Sequence, residues 1–167
     1  MMTSTSTRTI TLVHTAVHLS QVIMGAMADI LADLGIDLTD LYRDWDQDES
    51  AIKAWIQEQS LKEVVLECHR PDGTVSPVME FPVTYYPDGV ADAKFTTQRT
   101  SLARFRAKLE HVPQGTIFRL FCTFRKERTP QPGWGPGARA STEGLRSLSF
   151  GSLATGPHGS VAMRYLR

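Results

Sequence analysis

At 167 residues the chain fits one domain, long enough to bury roughly 70% of the surface its unfolded form would expose. Eighteen Lys and Arg balance eighteen Asp and Glu, so no global charge favours nucleic acid or anionic lipid. Cys68 and Cys122 lack C-x-x-C spacing and sit in apolar strand-like runs, which reads as buried thiols in a reducing compartment.

The N-terminus has no basic region leading into an uninterrupted apolar core, and no apolar run approaches the roughly 20 residues of a membrane span. A soluble, cytoplasmic domain with no membrane partner is therefore expected. The opening MMTSTSTRT is small and polar, so residues 1–12 are expected to be flexible, although β-branched TRTITLV could lend an edge strand. From Val13 the pattern changes. Val13, Val17, Ile23, Met24, Met27, Ile30, Leu31 and Leu34 recur at three- and four-residue steps, the stripe of a long central helix that a left-handed Gly35 would end. LYRDWDQDESAIKAWIQEQS carries a second helical face through Leu41, Trp45, Ile52, Trp55 and Ile56, with Asp46 or Asp48 as N-cap.

LKEVVLECH then alternates, with Val64, Leu66 and Cys68 on one side and Val65 and Glu67 on the other. The Asp-Gly turn in RPDGTVS returns VMEFPVTYY as an antiparallel partner, and Pro82 places that strand at a sheet edge or a bulge. TTQRTSLARFRAKLEHV is a third helix facing inward through Leu102, Phe105, Leu109 and Val112, closed by Pro113 and Gly115. In TIFRLFCTFRKER, Phe118, Leu120, Cys122 and Phe124 face one way, whereas Arg119, Thr123 and Arg125 face the other, interrupted by Phe121. The sum is an α+β layer, three helices against one face of a small antiparallel sheet. Residues 13–128 form its core. Residues 129–167 are a Pro/Gly-rich connection with apolar strands at its end (Leu145, Leu148, Phe150, Leu153, Val161, Met163, Tyr165), too apolar for a disordered tail.

Candidate chemistry is sparse. Asp44, Asp46 and Asp48 open like a calcium loop, but its sixth and twelfth positions would hold Glu49 and Trp55. GWGPGA has neither the strand-to-helix context nor the lysine of a phosphate loop. His14 and His18 share a helical face without a third metal ligand, and no G-x-S-x-G nucleophile motif occurs. Arg104, Arg106, Lys108, Arg119 and Arg125 make a basic patch with little aromatic interleaving, which suits an acidic protein partner or solvent better than nucleic acid. No catalytic residue, metal site or cofactor is expected.

Three stretches, in this order, resemble the HORMA domain. AIKAWIQEQSLKEVVLE (residues 51–67) is similar to that family's helix-into-strand run, QPGWGPG to its Trp-bearing loop after the last core strand, and STEGLRSLSFGSLATGPHGSVAMRYLR to its C-terminal safety belt. The likeness spans nearly the whole chain and is nearer to the bacterial HORMA proteins of CBASS anti-phage operons than to the eukaryotic checkpoint member. The resemblance implies a mobile belt that sits on the sheet in an open state and wraps a partner's closure peptide in a closed one, with the peptide added as a strand beside residues 116–125. Ile117, Arg119, Phe121, Thr123, Arg125, Trp134, Leu145, Leu148 and Phe150 would then contact the peptide. Strand addition draws affinity from main-chain hydrogen bonds and specificity from alternate side chains.

Further implied are a cGAS/DncV-like nucleotidyltransferase that the peptide-loaded form binds and activates, and an AAA+ remodelling ATPase that pulls on the N-terminus to reset it. A second HORMA protein is a further implied partner. A shift from mostly open to mostly closed needs about 5.5 kcal/mol of differential peptide affinity. A micromolar peptide supplies about 8 kcal/mol in total, so such a switch is feasible. The alternative is a static HORMA subunit that supplies a closure peptide or scaffold to another HORMA protein.

Overall fold

The computed structural model describes residues 3–90 and 94–167, with side chains from residue 11 onward. Helix α1 (Thr3–Asp33) is followed by the short α2 (Thr39–Arg43) and by α3 (Trp45–Gln57), then strands β1 (Leu61–His69) and β2 (Val75–Tyr85). After β3 (Thr96–Thr97) come α4 (Arg99–Arg106), β4 (Ile117–Phe124), β5 (Ser147–Gly156) and β6 (Gly159–Leu166). The strands form one six-stranded sheet in the order β3-β5-β6-β2-β1-β4, antiparallel at each pairing. The α+β class is as expected, with four helices among the described residues rather than three.

The apolar stripe of α1 carries the main core: Leu19, Ile23, Met24, Met27, Ile30 and Leu31 are fully buried. They pack with Ile52, Trp55 and Ile56 of α3 and with Val64, Leu66, Cys68, Met79, Phe81 and Met163 of the sheet. Gly35 (φ +77°) ends α1, and the Ile36 amide reaches back to the Leu31 carbonyl at 3.0 Å. By length and composition the Thr11–Asp33 part of α1 could cross a membrane, contrary to the sequence reading, but most of it is buried in this core.

Other expectations need correction. TRTITLV is not an edge strand; its backbone continues α1, whose helical register the core-facing residues beyond it already fix. Met1 and Met2, part of the leader expected to be flexible, lie outside the described residues. The N-cap of α3 is Asp44 rather than Asp46 or Asp48, and its carboxylate is held by the Arg43 guanidinium instead of capping a helix amide. Pro82 lies in a central strand. It faces Glu63 of β1, while the β2–β6 ladder has no pairs between Glu80↔Arg164 and Val83↔Val161, so the missing N–H falls in a gap. The third helix is shorter than its pattern, yet Leu102 is buried and Phe105, Leu109 and Val112 still pack on the core.

Candidate functional site

β4 is the open edge of the sheet: among the described residues it pairs with β1 alone. Just past the end of β4, the Arg125 amide donates to the carbonyl of Ser60, the residue before β1, at 2.9 Å. Antiparallel alternation therefore turns the backbone groups of Thr123, Phe121 and Arg119 toward β1 and those of Phe118, Leu120, Cys122 and Phe124 outward. Side chains of the outward set lie on the helix face and pack against the main core. Those of Ile117, Arg119, Phe121 and Thr123 lie on the opposite, outer face.

Residues 125–146 leave the end of β4, pass beside its edge and cross the outer face to reach β5, next to β6. Two groups of contacts hold this crossing segment. On the α3 side, the Trp55 indole donates to the Thr129 carbonyl and the Gln47 amide to the Pro132 carbonyl, each at 2.7 Å. The Thr129 amide and hydroxyl donate to the Glu58 carboxylate at 3.0 and 2.8 Å. Gly133 fits here because its φ is +80° and an added Cβ would lie 1.2 Å from the Gln47 amide nitrogen.

On the outer face three glutamates converge. Arg139 donates to Glu63 at 3.2 Å and to Glu80 at 2.8 Å, and its Nε lies 4.0 Å from Glu67, whose side chain is fully buried. Arg164 of β6 donates to the same Glu80 and Glu63 at 3.0 and 3.3 Å. The Ala140 amide donates to Glu67 at 2.8 Å, and His69 Nε2 lies 2.9 Å from its other oxygen. Burial pushes the Glu80 carboxyl up, but the two arginine hydrogen bonds together outweigh it and hold it below the usual carboxylate range.

Between these attachments Trp134 stacks edge-on against Trp55, with ring centroids 5.3 Å apart. Gly137 lies close over the Phe121 ring, 3.1 Å from where its Cβ would be. Two cavities open along β4. The inner one, about 270 Å³, is lined by Trp55, Leu120, Cys122, Phe124, Arg128 and Trp134. The outer one, about 380 Å³, is lined by Arg119, Leu120, Phe121, Trp134 and residues 133 and 135–138, of which Leu120, Phe121, Trp134 and residues 135–137 border the inner one as well. The Trp134 indole N–H and the Thr123 hydroxyl are buried without a hydrogen-bond partner. Such orphans are costly, so their persistence at a groove is informative.

The residues expected to contact a peptide divide into groups. Ile117 (56% exposed), Arg119, Phe121 and Thr123 share the outer face of β4, and Trp134 closes its edge. Arg125 turns away, its guanidinium 5.1 Å above the Tyr85 ring. Leu145 joins Phe121, Val65, Val78 and Leu166 in a small outer-face cluster. Leu148 and Phe150 lie at the far side of the sheet beside Phe105 of α4. Sequence reasoning missed the inner-cavity residues Leu120, Cys122 and Arg128 and the partners of Arg139. Acidic residues recurring inside apolar strands (Glu63, Glu67, Glu80) were the available signal, because buried carboxylates require cations.

A sheet with β4 as an open edge and a C-terminal segment that passes beside it and rejoins the sheet beyond β2 is a HORMA-type fold. The family described as bacterial HORMA domain 2 matches residues 2–167, and the chain belongs to it. Among solved structures it is similar to a chain of the mitotic checkpoint complex (12% identity, 88% of this chain and 94% of that one, TM-score 0.71). It is similar also to C. elegans HTP-1 bound to a HIM-3 closure motif (12% identity, 89% and 87%, TM-score 0.66). A third similar structure is the E. coli MS115-1 HORMA:CdnC:Trip13 complex (14% identity, 93% and 89%, TM-score 0.63). At these identities the likeness is one of fold. No curated protein matches the sequence.

Proposed function

We propose that this chain is a peptide-sensing switch: residues 13–128 form its core, and residues 129–167 form a safety belt that closes over a partner's extended peptide laid along β4. The observation that carries this reading is the free outer edge of β4 beneath a segment fastened on both sides, with a buried indole N–H lacking an acceptor at the gap. A similar fold in C. elegans HTP-1 is bound to a closure motif, which supports a peptide as the ligand class. The complex of an E. coli HORMA protein with CdnC and Trip13 supports the remaining partners. In this reading the peptide-loaded form binds and activates a cGAS/DncV-like nucleotidyltransferase in anti-phage signalling, and an AAA+ ATPase of the Trip13 type restores the unloaded form.

Reconstitution tests it. The chain is mixed with a CdnC-type nucleotidyltransferase and with a peptide selected on the full chain, and cyclic oligonucleotide synthesis is measured. Synthesis should require the peptide and should fall when the ATPase and ATP are added. Equal synthesis with and without peptide, from a chain that retains no peptide, would instead establish a static subunit.

A further inference from the structure

The two cavities along β4 share Leu120, Phe121, Trp134 and residues 135–137 and differ at their ends, where Trp55, Cys122, Phe124 and Arg128 close one and Arg119 borders the other; that difference bears on which peptide fits, so the inference rests on the peptide-binding reading above. The inner cavity has an apolar floor of Trp55, Leu120, Cys122 and Phe124. Asp48 and Arg128 both lie within electrostatic reach of Cys122 with opposite effects, so the aromatic and aliphatic lining rather than charge decides what fits there. The outer cavity is walled by Arg119, which is exposed and makes no ion pair among the described residues. At the inner rim Arg128 lies over the Phe124 ring, 4.3 Å from its centroid, also without a carboxylate partner. With Arg125 and Lys126 the C-terminal end of β4 carries one acid, Glu127, against three cations.

Register converts these cavities into a sequence rule. A strand added to β4 runs at the same rise per residue, and directly opposed residues share a face. The ligand residue opposite Cys122 therefore points into the inner cavity, and the one opposite Arg119 points to the outer face. Those two ligand positions are three apart, the odd separation that opposite faces demand. We propose that the groove selects an extended segment with a large apolar side chain opposite Cys122 and an Asp or Glu three positions away opposite Arg119, and that an acceptor on the segment takes the Trp134 indole N–H. The closed groove thus reads an apolar–x–x–acidic pattern on top of sequence-independent backbone pairing.

The test is a random dodecapeptide display selection on the full chain, repeated on Arg119→Glu and Trp134→Phe. The expected result is enrichment of a large apolar residue with Asp or Glu three positions away. On Arg119→Glu the acidic position should turn to Lys or Arg, and peptides selected on the native chain should bind it about fivefold more weakly, in line with a partly solvated charge pair. Trp134→Phe keeps an aromatic ring against Trp55 but removes the N–H together with the pyrrole ring, so it should retain the same consensus and bind at least about three- to tenfold more weakly. Enriched peptides that lack the pair at that spacing, or that are unchanged on Arg119→Glu, overturn the inference and leave strand binding standing. No enrichment on a folded chain overturns both.

Discussion

Replacing Arg139 with alanine is the most direct probe of what holds the crossing segment to the sheet. The guanidinium serves Glu63 and Glu80 directly and approaches Glu67, and these side chains are 8%, 12% and 0% exposed. Removing one partner of a buried ion pair costs about 3–5 kcal/mol because the other charge stays buried. Here the loss is smaller. Arg139 itself is 28% exposed, Arg164 still serves Glu63 and Glu80, and Glu67 keeps the Ala140 amide and His69. About 2 kcal/mol is the expected cost, or a factor of about 30 in the opening equilibrium of residues 138–145.

Hydrogen exchange at the Ala140 amide reads that opening directly, because this N–H donates to the Glu67 carboxylate. Exchange there should rise about 30-fold in Arg139→Ala, with a loss of at most about 2 kcal/mol in urea unfolding. Arg139→Lys keeps the charge but loses the forked geometry, so it should fall between the two. If Ala140 exchange and the urea midpoint are both unchanged, the glutamate cluster is solvated enough to need no cation, and the segment is held elsewhere.

Two further substitutions check the α3 side. Gly133→Ala forces a left-handed alanine against the Gln47 amide, which should cost about 2 kcal/mol, but only about 1 kcal/mol in a Gln47→Ala background where no clash or lost hydrogen bond arises. A double-mutant cycle in urea measures the coupling, and strict additivity would refute the packing described. Asp48 is the second case: burial, then the neighbouring Asp44, pushes its carboxyl up to about 6. A raised folded-state value means that the native form binds the proton more tightly, so stability falls as pH rises from about 4 to 6. Asp48→Asn should therefore gain about 1 kcal/mol relative to the native chain between pH 4 and pH 7, a value discounted because the group is half exposed. A difference that does not vary with pH would show that Asp48 is solvated.

Local pattern reached the pieces of this fold better than their arrangement. The stripe from Ile23 to Leu34, the left-handed Gly35 and the Asp72-Gly73 turn depend on neighbours in sequence and were readable there, whereas Val13 and Val17 of the expected stripe lie outside the core and buried Leu19 was not in it. The alternation in β1 and β4 also identified the outer faces correctly. What could not be read was the edge to which the last hairpin belongs. Val161, Met163 and Tyr165 alternate in a way that suits either edge, and the choice of β2 rests on long-range contacts such as Glu80 with Arg164. That choice carried Leu148 and Phe150 to α4, far from β4. Arg139 was unreadable for the same reason, since it meets partners 59 to 76 residues away.

The composition of the crossing segment explains how an open edge can be covered without being consumed. Pro130, Pro132 and Pro136 have no N–H, so the stretch that passes β4 is poorly suited to pair with it as a strand. Gly133 and Gly137 let the same stretch lie close to Gln47 and Phe121 without taking up a strand conformation. The outward backbone groups of Leu120 and Cys122 therefore keep no strand partner even though Trp134 lies beside them. An unguarded edge would invite pairing with any extended chain, and a guard that paired with β4 itself would have to be displaced before a ligand could bind. A proline-spaced cover fastened at Thr129, Pro132, Arg139 and Ala140 does neither. In the proposed switch it would limit access sterically while leaving the hydrogen-bonding capacity of the edge for an incoming strand.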